Sequence, residues 1–441
     1  MRRGDDPATD GGGGRRAQPD GPAARPDPAA PSDVAAARGP WRLLADPVFG
    51  PFFAGKLLST AGIWIHNIVA AILAFELSGS AFVVGLVSVA QFGPQLLFAP
   101  LSGALADRGD RRRQLILGRL IAALGSGGLG VTLLVLGVDG MPGAWPVVLA
   151  ALVVGVGFVV GGPAMNALIP SLVRPNELAN AVALNSIPFT IARAGGPAIG
   201  ALIAATTGPA LAFGIAALTN LVFAVILVPL NIQARAARND GDRRVRAAFA
   251  YLRRDRGIAL LLIGVGVIGV GADPVITLTP SLSAGFGAGS TLVGVFASSF
   301  GVGAGLAFVV LGRLRLWLGL PRLSVLGLGL LATGLLGAAA SPTPGAVIVA
   351  FGIGGAGMTC SLTGLSTQLQ ARLPDALRGR VMALWSVSFL GSRPLAAAGN
   401  GALADATSAN LTMVVVAAIV VAGAVTCRPA RLARRPPPRL D

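Results

Sequence analysis

The chain has 441 residues, a formal net charge of +16 and only two cysteines. Hydrophobic residues make up 54% of it, charged residues 12%, and the mean hydropathy is +0.73, which leaves too little polar surface for a soluble protein of this length. Its arginines lie in short segments between apolar stretches and form no continuous basic face, so we expect no nucleic-acid partner. Two cysteines inside or beside apolar stretches imply no disulfide framework. The composition indicates a membrane protein.

Residues 1–40 are rich in Pro, Gly, Asp and Arg and have no apolar core, which predicts a disordered cytoplasmic tail. Twelve apolar stretches follow, each long enough to cross a hydrocarbon core that takes about 20 helical residues. The predicted spans are 50–77, 81–105, 114–137, 144–168, 178–206, 209–230, 258–283, 290–312, 322–340, 344–369, 379–405 and 407–427.

The basic residues follow a strict alternation along these spans. All but four of the 35 Lys and Arg residues fall in alternate gaps, and the gaps between those contain none. Positively charged loops are retained in the cytoplasm, so both termini are predicted there, in a multi-pass protein of the cell membrane. The pentapeptide GALAD shows the same contrast, since the copy at 103–107 precedes RGDRRR and the copy at 401–405 precedes ATSAN. We expect the first copy to end inside and the second outside.

The long basic gap at 231–257 divides the spans into six and six. It contains an amphipathic segment, Arg243 to Arg256, expected on the inner membrane surface. Several positions at 183–193 recur 200 residues later, and repeated halves around a central path are typical of transporters. The predicted organisation is a six-helix bundle at 41–230, a cytoplasmic linker at 231–257, a second bundle at 258–428 and a cytoplasmic tail at 429–441.

A few ionisable residues lie deep within the predicted spans. Arg193 and Arg393 each lie roughly 20 Å into a span, at about 1.5 Å per residue. Asp273 lies at similar depth and His66 lies midway along the first span. A charge at this depth costs several kcal/mol unless it is paired or lines a wet cavity, so these four residues are a candidate functional layer. Glu76 lies near the outer end of its span, where a charge costs less free energy than at the midplane. Structural pairing for the arginines and simple hydrogen bonding for the histidine remain open.

Two other basic residues, Lys56 and Arg119, lie nearer the cytoplasmic ends of their spans, and we expect both to extend toward water. Polar side chains on spans prone to line a cavity are candidates for substrate contact, although each could instead join neighbouring helices. These candidates are Asn67, Gln91, Gln95, Asn166, Asn185 and Trp385.

The loop after the second span, GALADRGDRRR, resembles the signature of the major facilitator superfamily: a glycine, an aspartate four residues on, then a basic cluster. The matching positions are Gly103, Asp107, Arg108, Gly109, Arg111 and Arg112, with Asp110 where many members have a second glycine. The resemblance implies that Asp107 contacts the positive N-terminal end of the eleventh span and acts as a gate latch. The alternative is a solvated turn that only fixes topology.

Three further stretches, 76–85, 177–200 and 378–394, resemble the branch that contains enterobactin-type siderophore exporters and macrolide efflux proteins. Within the second stretch, Gly196 and Pro197 resemble the Gly-Pro pair of an antiporter motif, with Ala192 and Ala201 where two glycines are usual. Pro197 frees a backbone carbonyl and can bend its helix, which the resemblance links to export. A kink without directional meaning is the alternative.

The resemblance implies an all-α major facilitator fold, with twelve transmembrane helices in two pseudo-symmetric six-helix bundles. The implied function is export of a small organic molecule, such as a drug, siderophore or secondary metabolite, by alternating access in exchange for protons. Asp273 is the predicted protonation site, and the net positive charge of Arg193, Arg393 and Asp273 suggests an anionic or zwitterionic ligand. We expect a monomer in the lipid bilayer, without cofactor, metal or enzymatic activity.

Two alternatives to proton-coupled export remain. One is an importer of the same fold, for example for a sugar or organic acid, because fold does not settle direction. The other is an intramembrane transferase in which Asp107 and Asp110 hold magnesium through a diphosphate substrate.

Overall fold

A computed structural model describes residues 38–108, 110–230, 255–373 and 375–432, with the side chains of 99–108, 374–380, 383 and 431–432 left undescribed. The predicted tail at 1–40, apart from its last three residues, and the amphipathic segment of the linker, apart from Asp255 and Arg256, lie outside these ranges. The same holds for the C-terminal tail beyond residue 432, so the predicted domain boundaries stay predictions.

Every regular element in the described ranges is a helix. The long helices are α1 Phe49–Ser78, α2 Ala81–Arg108, α3 Arg111–Leu136, α4 Trp145–Ala167, α5 Leu178–Thr207, α6 Pro209–Leu227, α7 Arg256–Ala272, α8 Ser290–Ala340, α9 Pro344–Arg372, α10 Asp375–Ala406 and α11 Ala409–Thr426. Short helical turns occupy Pro40–Leu44, Ile169–Leu172, Pro175–Glu177, Pro274–Thr277, Thr279–Gly285 and Pro429–Leu432.

Helix α8 contains the length of two membrane spans. Its 51 residues would extend about 77 Å at ~1.5 Å per residue, more than twice the ~30 Å hydrocarbon core. Gly319 interrupts the helix with φ 70° and ψ 162°, a left-handed backbone that glycine adopts without strain. We write α8a for 290–318 and α8b for 320–340. The break falls in the gap predicted between the eighth and ninth spans.

The prediction of a polytopic helical membrane protein is confirmed. Ten helices of the described chain are long and apolar enough to cross a membrane. That set counts α8 as one helix, although it has the length of two spans, and it does not include α10. These two differences separate the ten helices from the twelve predicted spans. The exact number of twelve stays a prediction.

Glycines set the distances between neighbouring helices. A Cβ added to Gly118 in α3 would lie 2.7 Å from the Cα atom of Gly161 in α4, and one added to Gly334 in α8b would lie 2.6 Å from that of Gly354 in α9. At such short distances the backbones of the two helices are in direct contact, which small residues permit in membrane helices.

Short connections join most consecutive long helices, and the glycine contacts of α3 with α4 show that these two run antiparallel. We therefore divide the helix ends into two sides, which differ in charge. We call one the basic side, because Arg111, Arg174 and Arg372 lie at its helix ends. The other, which carries Glu76, Asp139 and Asp405, is the acidic side.

Helices α1–α6 pack together, and so do α7–α11, although α10 packs more extensively on α2 than on the helices of its own set. The two sets meet chiefly along two antiparallel pairs, α2 with α10 and α5 with α8a. In the second pair, a Cβ at Gly294 would lie 2.6 Å from the carbonyl oxygen of Pro197. Transport by a rocking motion would have to open and close these two contacts.

Candidate functional site

Asp273 lies at a helix break near the meeting surface of the two sets. Pro274 cannot donate a backbone hydrogen bond, so α7 ends at Ala272 and a separate turn follows. The Asp273 side chain is 2% exposed, and its carboxylate accepts hydrogen bonds from Thr277 Oγ1 at 3.0 Å and from Asn400 Nδ2 of α10 at 2.8 Å. These two donors compensate part of the cost of burying a carboxylate.

Arg193 of α5 is enclosed by aromatic side chains. Its guanidinium carbon lies 5.7 Å from the ring centre of Trp64 and 4.9 Å from that of Phe300, which places cation–π contacts on α1 and α8a. Nη2 donates to the sulfur of Met358 at 3.1 Å, and the residue is 9% exposed. Arg193 therefore joins helices of both sets.

Arg393 of α10 is less enclosed. Its guanidinium lies 4.9 Å from the ring centre of Phe92 in α2, the residue is half-buried, and Nε has no hydrogen-bond partner among the described residues. Arg393 interacts electrostatically with both Asp273 and Arg193, yet no ion pair joins it to Asp273 in the described part of the chain. The structure thus brings together three of the four predicted midplane residues.

His66 is placed elsewhere. Its Nδ1 lies 3.1 Å from Ser126 Oγ of α3, and its ring meets Phe213 of α6 edge-on with 5.2 Å between ring centres. These contacts are with α3 and α6 and include none of Asp273, Arg193 and Arg393, and they match the hydrogen-bonded alternative for a single buried histidine. Glu76 is exposed at the acidic end of α1, as its position in the span suggested.

Two substrate candidates line a small pocket that borders the helical turn after Asp273. Gln91 Nε2 donates to Asn67 Oδ1 at 2.7 Å, and both residues border a pocket between α1, α2 and the turn Pro274–Thr277. Its other lining residues are Ala71, Val84, Val87, Ser88, Phe92 and Ile276. Because Phe92 also contacts Arg393, this pocket adjoins the charged layer.

The remaining substrate candidates have other surroundings. Asn185 accepts a hydrogen bond from Lys56, and Trp385 donates to Ser366 Oγ at 2.9 Å. Asn166 is exposed near the basic end of α4, and Gln95 is half-buried, with Nε2 4.0 Å from where a Cβ on Gly162 would lie. None of these four borders the pocket lined by Asn67 and Gln91.

The expectation that Lys56 and Arg119 reach water is wrong. Lys56 is 6% exposed and donates to the backbone carbonyl of Asn185 at 3.0 Å, whereas Arg119 is 1% exposed and donates to Ser59 Oγ at 2.9 Å. Both turn inward because polar acceptors on neighbouring helices hold their ends. Nε and Nη2 of Arg119 lack hydrogen-bond partners within the described ranges.

The Gly-Pro pair of α5 lies where three helices meet. A Cβ on Gly196 would lie 2.6 Å from Trp64 Cβ, so this glycine sets the distance between α5 and α1. Pro197 faces α8a, and the next backbone N–H, that of Ala198, donates to Ser298 Oγ at 2.8 Å. The pair therefore occupies the contact between the two sets, although its role in gating stays a prediction.

The basic cluster after α2 is described only from Asp110 onward. Asp110 caps α3 by accepting from the backbone N–H groups of Arg112 and Arg113, which explains an aspartate at this position. Arg112 Nε donates to the Leu227 carbonyl at 2.8 Å, and Arg111 Nη1 donates to the Ala167 carbonyl at 3.4 Å, at the ends of α6 and α4. These two arginines thus stabilise carbonyl groups at helix C-termini.

The other predicted gate residues, Gly103, Asp107 and Arg108, lie in the last turns of α2, and their side chains are outside the described residues. The proposed latch by Asp107 therefore stays a prediction.

Sequence inspection missed the partners that complete the layer, namely Trp64, Phe92, Phe300 and Asn400. The three aromatic residues are ordinary for a membrane helix, and all four lie more than 90 positions from the charged residue they contact, Phe300 to Arg193 being 107 apart. No local pattern marks such pairs.

Comparison with known proteins agrees with this fold. Residues 38–435 match the family model described as transmembrane secretion effector. The chain is 24% identical over 400 residues to macrolide efflux protein A of Streptococcus pyogenes, covering 86% of this chain and 95% of that protein. It is 26% identical over 415 residues to the enterobactin exporter of Shigella boydii, covering 90% and 95%.

Solved structures show the same fold at low identity. A bacterial homologue of the iron transporter ferroportin, in an inward-facing state, is 17% identical with a TM-score of 0.66, covering 90% of this chain and all of the other. The nucleoside transporter NupG is 12% identical with a TM-score of 0.68, covering 88% and 100%.

The family and the named relatives are transporters, so the transferase alternative is set aside and the expectation of a non-enzyme is confirmed. With nearly its whole length matched, the chain belongs to the transmembrane secretion effector family of the major facilitator superfamily.

Proposed function

We propose that the protein exports a small organic molecule across the plasma membrane in exchange for protons, with Asp273 as the protonation site. The observation that carries the proposal is the buried Asp273 carboxylate, held by Asn400 of α10 beside Arg393 and the pocket. One proton moving down 100 mV supplies about 2.3 kcal/mol, enough for roughly a 40-fold concentration ratio. The named efflux relatives support the outward direction.

The basic side is the cytoplasmic one in this proposal, because positively charged loops are retained there. Native Cys360 and Cys427 are 2% and 0% exposed, so introduced cysteines can report topology with little background. An impermeant maleimide on intact cells is expected to label Asp139→Cys on the acidic side and to spare Ser171→Cys on the basic side. The reverse pattern would overturn the orientation.

The two arginines of the layer have different roles. Arg193 is covered by two aromatic rings and only 9% exposed, so we assign it to holding α1, α5 and α8a together. Arg393 is half-buried and its Nε has no hydrogen-bond partner among the described residues, so we assign its guanidinium to pairing with a substrate group.

The same geometry favours a zwitterionic amphipathic substrate. Antiport requires that substrate and proton exclude each other, and a cationic group that pairs with Asp273 displaces the proton. An anionic group of the same molecule pairs with Arg393. The pocket is too small in this conformation to hold an organic molecule, so Phe92 and the apolar residues around it contact the hydrocarbon part only after the two helix sets separate. A substrate with only an anionic group would instead bind best when Asp273 is protonated. The anion and the proton would then cross the membrane in the same direction.

The test uses proteoliposomes with the basic side outward and an acidic lumen. The probes are a zwitterionic rhodamine and its cationic ethyl ester, which differ in a single charge. We expect the wild type to accumulate the zwitterion and a protonophore to abolish the accumulation. Asp273→Asn should still exchange labelled for unlabelled dye but should no longer respond to the pH gradient.

The matched control is Asp139→Asn, which removes an exposed carboxylate from the loop between α3 and α4. This variant should behave as wild type. Full pH-driven accumulation by Asp273→Asn would refute the assignment of the protonation site. Equal accumulation of the cationic ester would refute the proposed substrate class.

A further inference from the structure

Asp405, near the acidic end of α10, caps the N-terminus of α2. Its carboxylate accepts hydrogen bonds from the backbone N–H of Ala81 at 2.7 Å, the backbone N–H of Phe82 at 3.1 Å and Ser80 Oγ at 2.5 Å. The first N–H groups of a helix have no partner within the helix, and its positive end attracts a carboxylate. One side chain of α10 thus completes the start of α2.

This cap crosses from one helix set to the other, since α2 belongs with α1–α6 and α10 with α7–α11. The two helices are closely packed beside it. A Cβ on Gly401 would lie 2.7 Å from the Cα atom of Phe82, and one on Gly85 would lie 2.8 Å from the carbonyl carbon of Ala397. The cap forms only while these backbones touch, so any separation of α2 from α10 at the acidic side must break it.

The residues around Asp405 repeat those around Asp107. The sequence GALAD ends α10 at 401–405 and lies at 103–107, where α2 ends. Because α2 and α10 are antiparallel, each copy lies at the C-terminal end of one helix, on the side where the other helix begins. The repeat therefore places an equivalent aspartate on each side of one helix pair.

We propose that Asp405 is the latch that holds the acidic side closed, and that it opens to release substrate. The proposal rests on the proposed transport by alternating access and extends it to a second gate, paired with the one expected at Asp107. Asp405 is exposed, so salt screens its attraction to α2, which suits a contact that must break in every cycle.

The test measures opening without any substrate. Ser88 is 6% exposed and borders the pocket, so Ser88→Cys should react slowly with an impermeant maleimide added to intact cells. Loss of a helix cap should raise the population open on the acidic side, and hence the labelling rate in Ser88→Cys/Asp405→Ala, by about two- to thirty-fold. Asp139→Ala, which removes another exposed carboxylate from the same side, should leave the rate unchanged.

Two further measurements keep the proposal testable if Asp405→Ala does not reach the membrane. Asp405→Asn preserves shape and should give a smaller increase in labelling. Raising the salt concentration should speed labelling of Ser88→Cys alone and should have less effect once Asp405 is replaced.

An unchanged labelling rate in both Asp405 variants would overturn the latch. Since labelling needs neither substrate nor a proton gradient, that result would leave the proposed export untouched. Conversely, faster labelling in a protein that moves no probe would support the latch and count against export.

Discussion

Replacing Gly196 by alanine tests whether the Gly-Pro pair sets the contact between α5 and α1. The added Cβ would lie 2.6 Å from Trp64 Cβ, whereas ordinary carbon contacts begin near 3.5 Å, so the helices must separate by about 0.9 Å. Overpacking of this kind costs about 1–3 kcal/mol, while alanine regains up to about 1 kcal/mol of helix propensity. The net expectation is a loss of up to roughly 2.5 kcal/mol.

The adjacent Gly195 provides the control, because the nearest atom to its added Cβ is Ile199 Cδ1 at 3.8 Å. Gly195→Ala should therefore match or exceed wild type in stability. The assay is thermal unfolding of both variants in detergent, followed by dye transport. Arg193 stacks on Trp64, so Gly196→Ala should also lower transport more than Gly195→Ala does. Equal unfolding temperatures for the two variants would refute the packing argument.

Three further predictions concern stability, each measured by unfolding in detergent. Arg112→Gln removes donors from the end of α6 and should cost about 1–2 kcal/mol, whereas Arg113→Gln, whose side chain is 87% exposed, should stay within about 0.5 kcal/mol; equal losses would contradict the helix-end role. Ser59→Ala takes away the closest acceptor of the buried Arg119 guanidinium and should cost about 1.5–3 kcal/mol, and an unaffected protein would mean that this hydrogen bond is dispensable. Gly319→Ala places alanine at φ 70° and should cost about 1–2 kcal/mol, while Gly312→Ala, with open space around its Cβ, should be neutral or stabilising; the opposite order would argue against a break in α8.

Hydropathy and charge patterns in the sequence were sufficient to predict the helical membrane fold. The gap predicted at 313–321 contains the break at Gly319, because its two arginines interrupt the apolar sequence and mark the turn between two spans. The burial of Asp273 also agrees with its position inside a predicted span, whereas its depth in the membrane stays a prediction.

The direction in which each side chain points was not predictable. His66 and Asn67 are neighbours in α1, yet one faces α3 and α6 while the other borders the pocket. Lys56 and Arg119 have the length to reach water, and their inward course depends on acceptors contributed by α5, α1 and α6. These facts depend on helix rotation and packing, which a single sequence does not specify.

Sequence did contain one pattern whose meaning only geometry revealed. From the residues that follow each copy, the repeat of GALAD predicts that the two copies end on opposite sides of the membrane. The structure adds that the second copy ends in a carboxylate bonded to the first residues of α2. A repeated motif on two antiparallel helices is thus worth examining as a pair of equivalent contacts.

The most direct test of proton-coupled export uses sealed membrane vesicles of both orientations and the zwitterionic rhodamine. With an acidic lumen, inside-out vesicles should accumulate the dye, and Asp273→Asn should abolish the effect of the pH gradient. Accumulation by right-side-out vesicles under an inward proton gradient, with none in the inverted ones, would instead show import.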